Sequence, residues 1–442
     1  MGLLREYRAL GWLLLCLAIC LGLLFAPVFV QGEVIVPGDI PYTNAFWAAD
    51  PGATQFSPLK NGLLSDQINQ FFVWHSLASD AMQNGRGLPL WNPYVFTGQP
   101  LVGNAQSALF YPPNLLLRWF SPGSVASLRG LFNIIVAAIF TFLFTRSLQV
   151  SARGSIFAAI AFAFSGPLIV WLGHPHSNVL ATLPLVLWAV EMTVHRPQIR
   201  EIAVLGIGVG LSFLGGHPET TFHVLAFAFV YGGLRLVFLR PGIKAMAART
   251  GGLLAGSLLG LGVAAIQVLP FATFLLQSST LADGGRSMGG SNWLYSSEWL
   301  PNLASGVTAI FPNFFGNPVT NNYNWPFANF QNYNEQSIYF GVLPWAMMLG
   351  VLLFRPRKVV VWIVLGLALV ALAVAWRLPG FELVNHLPLF SISLNKRLKM
   401  IFVLFAAVAS GFGFDAFLAA LNAKDRNRGL FLGIAVARRW RW

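Results

Sequence analysis

KRLKMIFVLFAAVASGFGFDAF, residues 396–417, decides how the chain is read. From Leu398 the run stays apolar to about residue 420, with a single acid, Asp415, near its far end. About 18 apolar residues in succession suffice to cross a bilayer as a helix. Three cations, Lys396, Arg397 and Lys399, crowd its opening turn. Their meaning depends on whether the run is alone and on which side of a membrane it begins.

It is not alone. Comparable runs lie near 10–30, 129–147, 154–172, 177–194, 201–216, 219–239, 251–276, 336–354 and 359–376. Of the 442 residues, 56% are hydrophobic and only 10% charged, and the mean hydropathy is +0.64. One soluble core cannot hide that much apolar surface. The sequence therefore predicts an all-α polytopic membrane protein with about ten transmembrane helices.

The net charge of +13 raises the question of nucleic acid, and its distribution answers it. With the N-terminus in the cytoplasm, sixteen of the 28 basic residues fall in short internal loops or helix ends. That is the positive-inside pattern, so the charge records topology and no nucleic-acid partner is expected. Lys396, Arg397 and Lys399 then sit on the outer side, where few cations belong. Arg5 and Arg8 precede the first run, which lacks a small-x-small cleavage site and reads as a retained anchor. Cys16 and Cys20, one helical turn apart within it, define neither a disulfide framework nor a zinc site.

The organisation that follows is a first anchor at 1–30, an external loop with interfacial helices at 31–128 and helices two to seven at 129–276. A second external loop occupies 277–335, helices eight to ten 336–420, and a cytoplasmic or truncated tail 421–442. Loops this long are usually functional. In the first, Asp66 to Gln83 has helical spacing, with Ile68, Phe71, Phe72, His75 and Ala78 along one side and Asp66 at the N-cap. The expected helix lies on the outer leaflet with Ile68, Phe71 and Phe72 dipping into the interface. In the second, Asn313 to Asn334 alternates Asn with aromatics, a composition suited to stacking on a sugar or to packing as a lid at the headgroup belt. An internal echo, GHPHSNVL from Gly173 and GHPETTFHVL from Gly216, marks two hairpin turns.

Several stretches carry a resemblance: SDQINQFFVWH (65–75), GLPLWNPYVFTGQPLVGNAQSALFYPPNLLL (87–117), GHPHS, GHPETT, EQSIYFGVLPW (335–345) and the helix from Lys396. Together they resemble the bacterial YfhO family, membrane proteins that look like GT-C glycosyltransferases. The resemblance implies a multi-helix enzyme of the bacterial inner membrane. It would take sugar from a polyprenyl-phosphate donor and pass it to an extracytoplasmic acceptor: a cell-envelope polymer, a lipid or a protein. It also implies essential acids in the first external loop, where Asp39 and Asp66 stand. Family members are longer, so the ending LFLGIAVARRWRW (430–442) reads as a C-terminal truncation.

Such a transfer needs a carboxylate to deprotonate or orient the acceptor, positive charge for the leaving phosphate and a groove for the lipid. Asp66 and Asp39 are the catalytic candidates, and Lys396 and Arg397 the candidates for the donor phosphate. His174, His176, His217, Glu219 and Glu335, at external turns or a span edge, are candidates for substrate or for a divalent metal such as Mg2+ or Mn2+. Capping, turn formation and snorkelling account for the same residues without chemistry. A transporter or flippase of lipid-linked sugars would carry its charges at the bilayer midplane. Here they lie mostly in loops, which favours surface chemistry over transport. A non-catalytic partner subunit of a glycosylation system is the third alternative.

Overall fold

The computed structural model describes residues 2–43, 45–50, 60–278, 299–326, 332–354 and 356–422. The tail beyond residue 422 and the middle of the second loop lie outside the described residues. The chain is an α-helical, multi-pass membrane protein. Its main helices are α1 (Gly2–Leu24), α2 (Val73–Gln83), α3 (Pro122–Ser147), α4 (Ala152–Ala163), α5 (Pro175–His195), α6 (Ile199–Leu214), α7 (Pro218–Leu239), α8 (Ile243–Leu276), α9 (Val342–Phe354), α10 (Val359–Ala375) and α11 (Leu398–Asn422). Among the described residues the one β pairing, Trp91–Asn92 against Gln99–Pro100, closes the WNPYVFTGQP turn.

Among the described residues seven helical stretches are long and apolar enough to cross a membrane. The other three expected spans are shorter helices, α6 of 16 residues, α9 of 13 and α10 of 17. At 1.5 Å per residue these reach about 20–26 Å, against a hydrocarbon core of about 30 Å. The run at 154–172 is broken: α4 stops at Ala163 and a short helix resumes at Gly166–Val170. Gly166 and Pro167 cause the break, and the freed Gly166 amide donates to Tyr339 O at 2.7 Å.

Two groups of helices share the bundle. α5 packs on α3, α6 and α7, while α11 packs on α4, α9 and α10. Both central helices are buried along most of their length. Because lipid is as apolar as leucine, close packing rather than solvent exclusion holds such helices together. Gly413 shows how close: a Cβ there would lie 1.8 Å from Met347 O on α9. Ion pairs fasten one end of the bundle. Glu191 accepts from Tyr231 Oη at 2.6 Å, from Arg235 Nε at 2.8 Å and from His195 Nε2 at 3.0 Å. Arg146 pairs with Glu6, and Asp415 accepts from Ser151 N at 2.6 Å at the start of α4.

The opposite end carries the loops. There Pro175 and Pro218 open α5 and α7 just after the two Gly-His-Pro turns, as expected of proline at a first helical position.

Candidate functional site

The two Gly-His-Pro turns lie side by side. Their rings form a stack: His176 is 3.7 Å from His217 and 4.3 Å from Trp171, and Trp171 meets His174 edge-on at 4.8 Å. His217 caps its own helix, its Nδ1 accepting from Thr220 N at 3.1 Å, so Nε2 carries the proton. Beyond Trp171 stands Arg397, its guanidinium 5.6 Å from the indole centroid.

The three cations that open α11 are buried rather than snorkelling, with Lys396 4%, Arg397 9% and Lys399 2% exposed. Arg397 binds Glu335 through Nη2 at 2.7 Å and Nε at 3.0 Å, and Glu219 through Nη1 at 3.2 Å. Lys399 donates to Gln336 Oε1 at 3.1 Å. Two acids from other elements therefore already face Arg397. Burial alone would raise the Glu335 carboxyl, but Arg397, with Lys396 and Lys399 behind it, brings it below the ordinary carboxylate range.

On the other side of His174 lies the first loop. A 3₁₀ turn at Gly62–Leu64 starts the helical segment, and Asn61 caps it by accepting from Leu63 N at 3.1 Å. Asp66 is thus not the cap: its carboxylate touches no backbone amide and accepts from Gln70 Nε2 at 3.2 Å. Gln67–Phe72 forms a π-helical turn before α2 begins. Phe71 is 3% exposed and meets the His174 ring at 5.4 Å. The segment is docked on the protein, which corrects the expectation that Phe71 dips into lipid. The contact is made possible by Gly173, where a Cβ would fall 2.1 Å from Gln67 Oε1. Gln67 Nε2 instead reaches His174 Nδ1 at 3.2 Å.

Between this segment and α3 is a small cleft, its polar walls Gln67, His75, Arg129 and Gly173 and its apolar walls including Phe71 and Phe72. The wider π turn lets both phenylalanines face it along with Gln67. Ile35 and Val36 close one side, three or four residues before Asp39. Asp39 is half-buried and accepts from Lys60 N at 2.8 Å. Behind the cleft a buried amide network joins Tyr111, Asn133, Ser177 and Asn178. Burial, then Arg397 and Arg129, push His174 down to about 3. Burial, then Arg129 and Arg118, hold His75 well below the usual histidine range. Both rings are neutral.

The structure thus brings together His174, His176 and His217, and separately Glu219, Glu335 and Arg397. Asp39 and Asp66 border the cleft in sequence. Among the described residues no three His, Cys, Asp or Glu side chains converge to hold a metal ion. Among the described residues of the second loop, Phe315 packs on Trp325 at 4.8 Å, while Asn317 and Asn322 close turns. Arg129, Gln67 and Asn114 escaped the sequence reading. Arg129 had a usable signal: it is a cation at the outer end of an expected span, as Lys396 is.

No family model matches the chain, and no curated protein matches it. Among solved structures it is similar to the oligosaccharyltransferase AglB from the archaeon Archaeoglobus fulgidus, in complex with an inhibitory peptide and a dolichol-phosphate. The identity is 13% and the TM-score 0.47, over 98% of this chain and 54% of that one. It is likewise similar to an apo crystal structure of the Archaeoglobus fulgidus oligosaccharyltransferase, at 14% identity and a TM-score of 0.47, over 99% of this chain and 55% of that one. The chain spans about half the length of the solved structures it matches.

Proposed function

We propose that the chain is a membrane glycosyltransferase of the GT-C type that moves a sugar from a polyprenyl-phosphate donor to an acceptor at the loop end of the bundle. One arrangement supports this reading above the others. The segments that carry Asp39 and Asp66 wall a single cleft, with the buried cation Arg129 in its lining. The YfhO-like motifs indicate the donor class. The Lys/Arg asymmetry puts the cleft outside the plasma membrane and the N-terminus in the cytoplasm. The acceptor is then an envelope polymer, lipid or protein.

Asp66 is the exposed acid of the pair, held by one side-chain amide and by no backbone amide, which leaves it open to an acceptor. In transfer the acceptor oxygen bonds to the sugar anomeric carbon while the bond from that carbon to the phosphate oxygen breaks. The acceptor proton passes to the Asp66 carboxylate, and the electron pair leaves with the polyprenyl phosphate. Lys396, Arg397 and Lys399, beyond the Trp171 layer, add positive potential that favours the leaving anion. Asp39 ties residues 39 and 60 together, three residues beyond Val36 in the cleft wall.

The test is transfer from a panel of polyprenyl-phosphate monosaccharides by purified protein, comparing Asp66→Asn with Asp80→Asn. Asp80 is exposed and pairs with Arg86, away from the cleft. Asp66→Asn is expected to lower transfer about 10²-fold or more and Asp80→Asn to leave it unchanged. Equal rates in both variants remove Asp66 from the chemistry. No transfer with any donor, while a lipid-linked sugar crosses vesicles containing the protein, would replace the enzyme with a flippase.

A further inference from the structure

α3 opens at Pro122 behind the Ser121 cap and carries Arg129 two turns in, facing the first loop. Arg129 is 3% exposed, yet the ion pairs among the described residues do not include it. One Nη1 hydrogen goes to His75 Nε2, which accepts it and is therefore neutral. The remaining bonds, to Asn114 Oδ1 and Gly173 O, are long at 3.4 Å each. Its Nε is buried with no hydrogen-bond partner.

A second guanidinium stands close by. Arg118, 2% exposed, donates from Nε to Asn114 O at 3.0 Å and from Nη2 to Leu109 O, and its Nη1 is buried without a partner. Asn114 thus links two buried cations through its side chain and its carbonyl, and among the described residues neither pairs with a carboxylate. The contrast is with Arg397, which faces Glu335 and Glu219. Desolvating a guanidinium is costly unless an opposite charge arrives. Arg129 lines the cleft beside Gln67 and Gly173, and this is the side on which an opposite charge would meet it.

We propose that Arg129, supported by Arg118 through Asn114, is an anion seat at the back of this cleft and takes a phosphate group, as a lipid phosphate ester or as free phosphate. A planar fork of donors matches phosphate oxygens, and Gln67 adds an amide donor on the facing wall. The seat rests on the proposed glycosyltransferase reading for its physiological ligand. It relocates the donor phosphate from the α11 cations to the cation that has no acid of its own.

The experiment is calorimetric titration of the full chain in detergent micelles with farnesyl phosphate, inorganic phosphate and farnesol. The wild type is expected to bind farnesyl phosphate and not farnesol. Arg129→Gln is expected to weaken that binding about ten- to a hundred-fold, the worth of a charge-assisted contact, and Arg129→Lys to fall between. Inorganic phosphate binding with the same Arg129 dependence would show that the seat takes the free ion. Binding of farnesyl phosphate alone shows that it takes a lipid headgroup. Without phosphate, Arg129→Gln should melt no lower than wild type, because it removes an unpaired buried charge. Unchanged farnesyl phosphate affinity in Arg129→Gln, or no binding of either phosphate by folded wild type, overturns the seat. So does a loss of folding in Arg129→Gln that Arg129→Lys repairs while binding stays absent. If phosphate binds through Arg129 but no sugar is transferred, the seat stands and the enzyme reading falls. Transfer with Arg129-independent binding gives the reverse.

Discussion

Arg397 and Glu335 lie 62 residues apart in sequence and meet through two hydrogen bonds, Nε and Nη2 both reaching Oε1, at 3.0 and 2.7 Å. Their side chains are 9% and 6% exposed, so neither charge has water to fall back on. Arg397→Gln is expected to destabilise the protein by about 3 kcal/mol, because it leaves a buried carboxylate without its main partner. The double variant with Glu335→Gln should cost less than the sum of the singles by about 1 kcal/mol or more. Unfolding of the four proteins by denaturant in micelles measures this. Additive losses would mean that the two side chains do not act as a pair.

His174 and His75 set an acid limit. A histidine whose folded pKa is lowered takes up its proton on unfolding. Its stabilising share is therefore complete above the unfolded value near 6.5 and shrinks as pH falls towards the folded value, about 3 for His174. Each such group contributes a slope of at most about 1.4 kcal/mol per pH unit. Melting temperatures between pH 7 and pH 5 should fall for wild type and fall less steeply for His174→Gln. Parallel profiles would mean that His174 is protonated in the folded protein.

Gly413 and Gly366 form a matched pair for helix packing. Gly413→Ala places a methyl 1.8 Å from Met347 O, whereas at Gly366 a Cβ meets nothing within 4 Å. The first change should cost about 3 kcal/mol or more by forcing α9 from α11. The second should be neutral or stabilise slightly, since it removes a flexible residue from a helix. Detergent melts of both variants check the difference.

Side of the membrane can be read by labelling. Asp66 and Asn324 are exposed on the loop end, and Lys358 is exposed at the other end, where its Nζ reaches Gln149 O at 3.1 Å. With Cys16 and Cys20 removed, single cysteines at positions 66 and 324 should react with an impermeant maleimide in intact cells. A cysteine at 358 should react only after lysis. The reverse pattern would invert the orientation.

The long apolar helices were legible because apolar runs declare themselves by length alone. α8 shows the limit: it begins at Ile243, before Arg249, and its polar first turns hid eight residues of helix. The break after Ala163 was hidden too, because the flanking residues stay apolar and only Gly166-Pro167 marks it. The Gly-His-Pro echo did place two histidine turns at one end. What they touch could not be read. Arg397 draws Glu219 from 178 residues away and Glu335 from 62, and no local spacing encodes either contact. Arg129 and Lys396 carried the same sequence signal, cations on the side expected to be poor in them. Only the fold shows that Glu219 and Glu335 went to α11 and that, among the described residues, Arg129 pairs with no acid.

The widened turn at Gln67–Phe72 has a consequence for how the cleft can vary. An i→i+5 ring encloses one residue more than an i→i+4 ring, so the segment holds a spare residue while the helix on either side keeps its phase. Deleting Asn69, which is exposed, would tighten the ring to α pitch without rotating Asp66 about the axis relative to His75. One phenylalanine would leave the wall instead. The bearing of the acid is therefore set by the flanking helix, and the width of the cleft by residue count. A deletion can retune the cavity while the carboxylate keeps its heading.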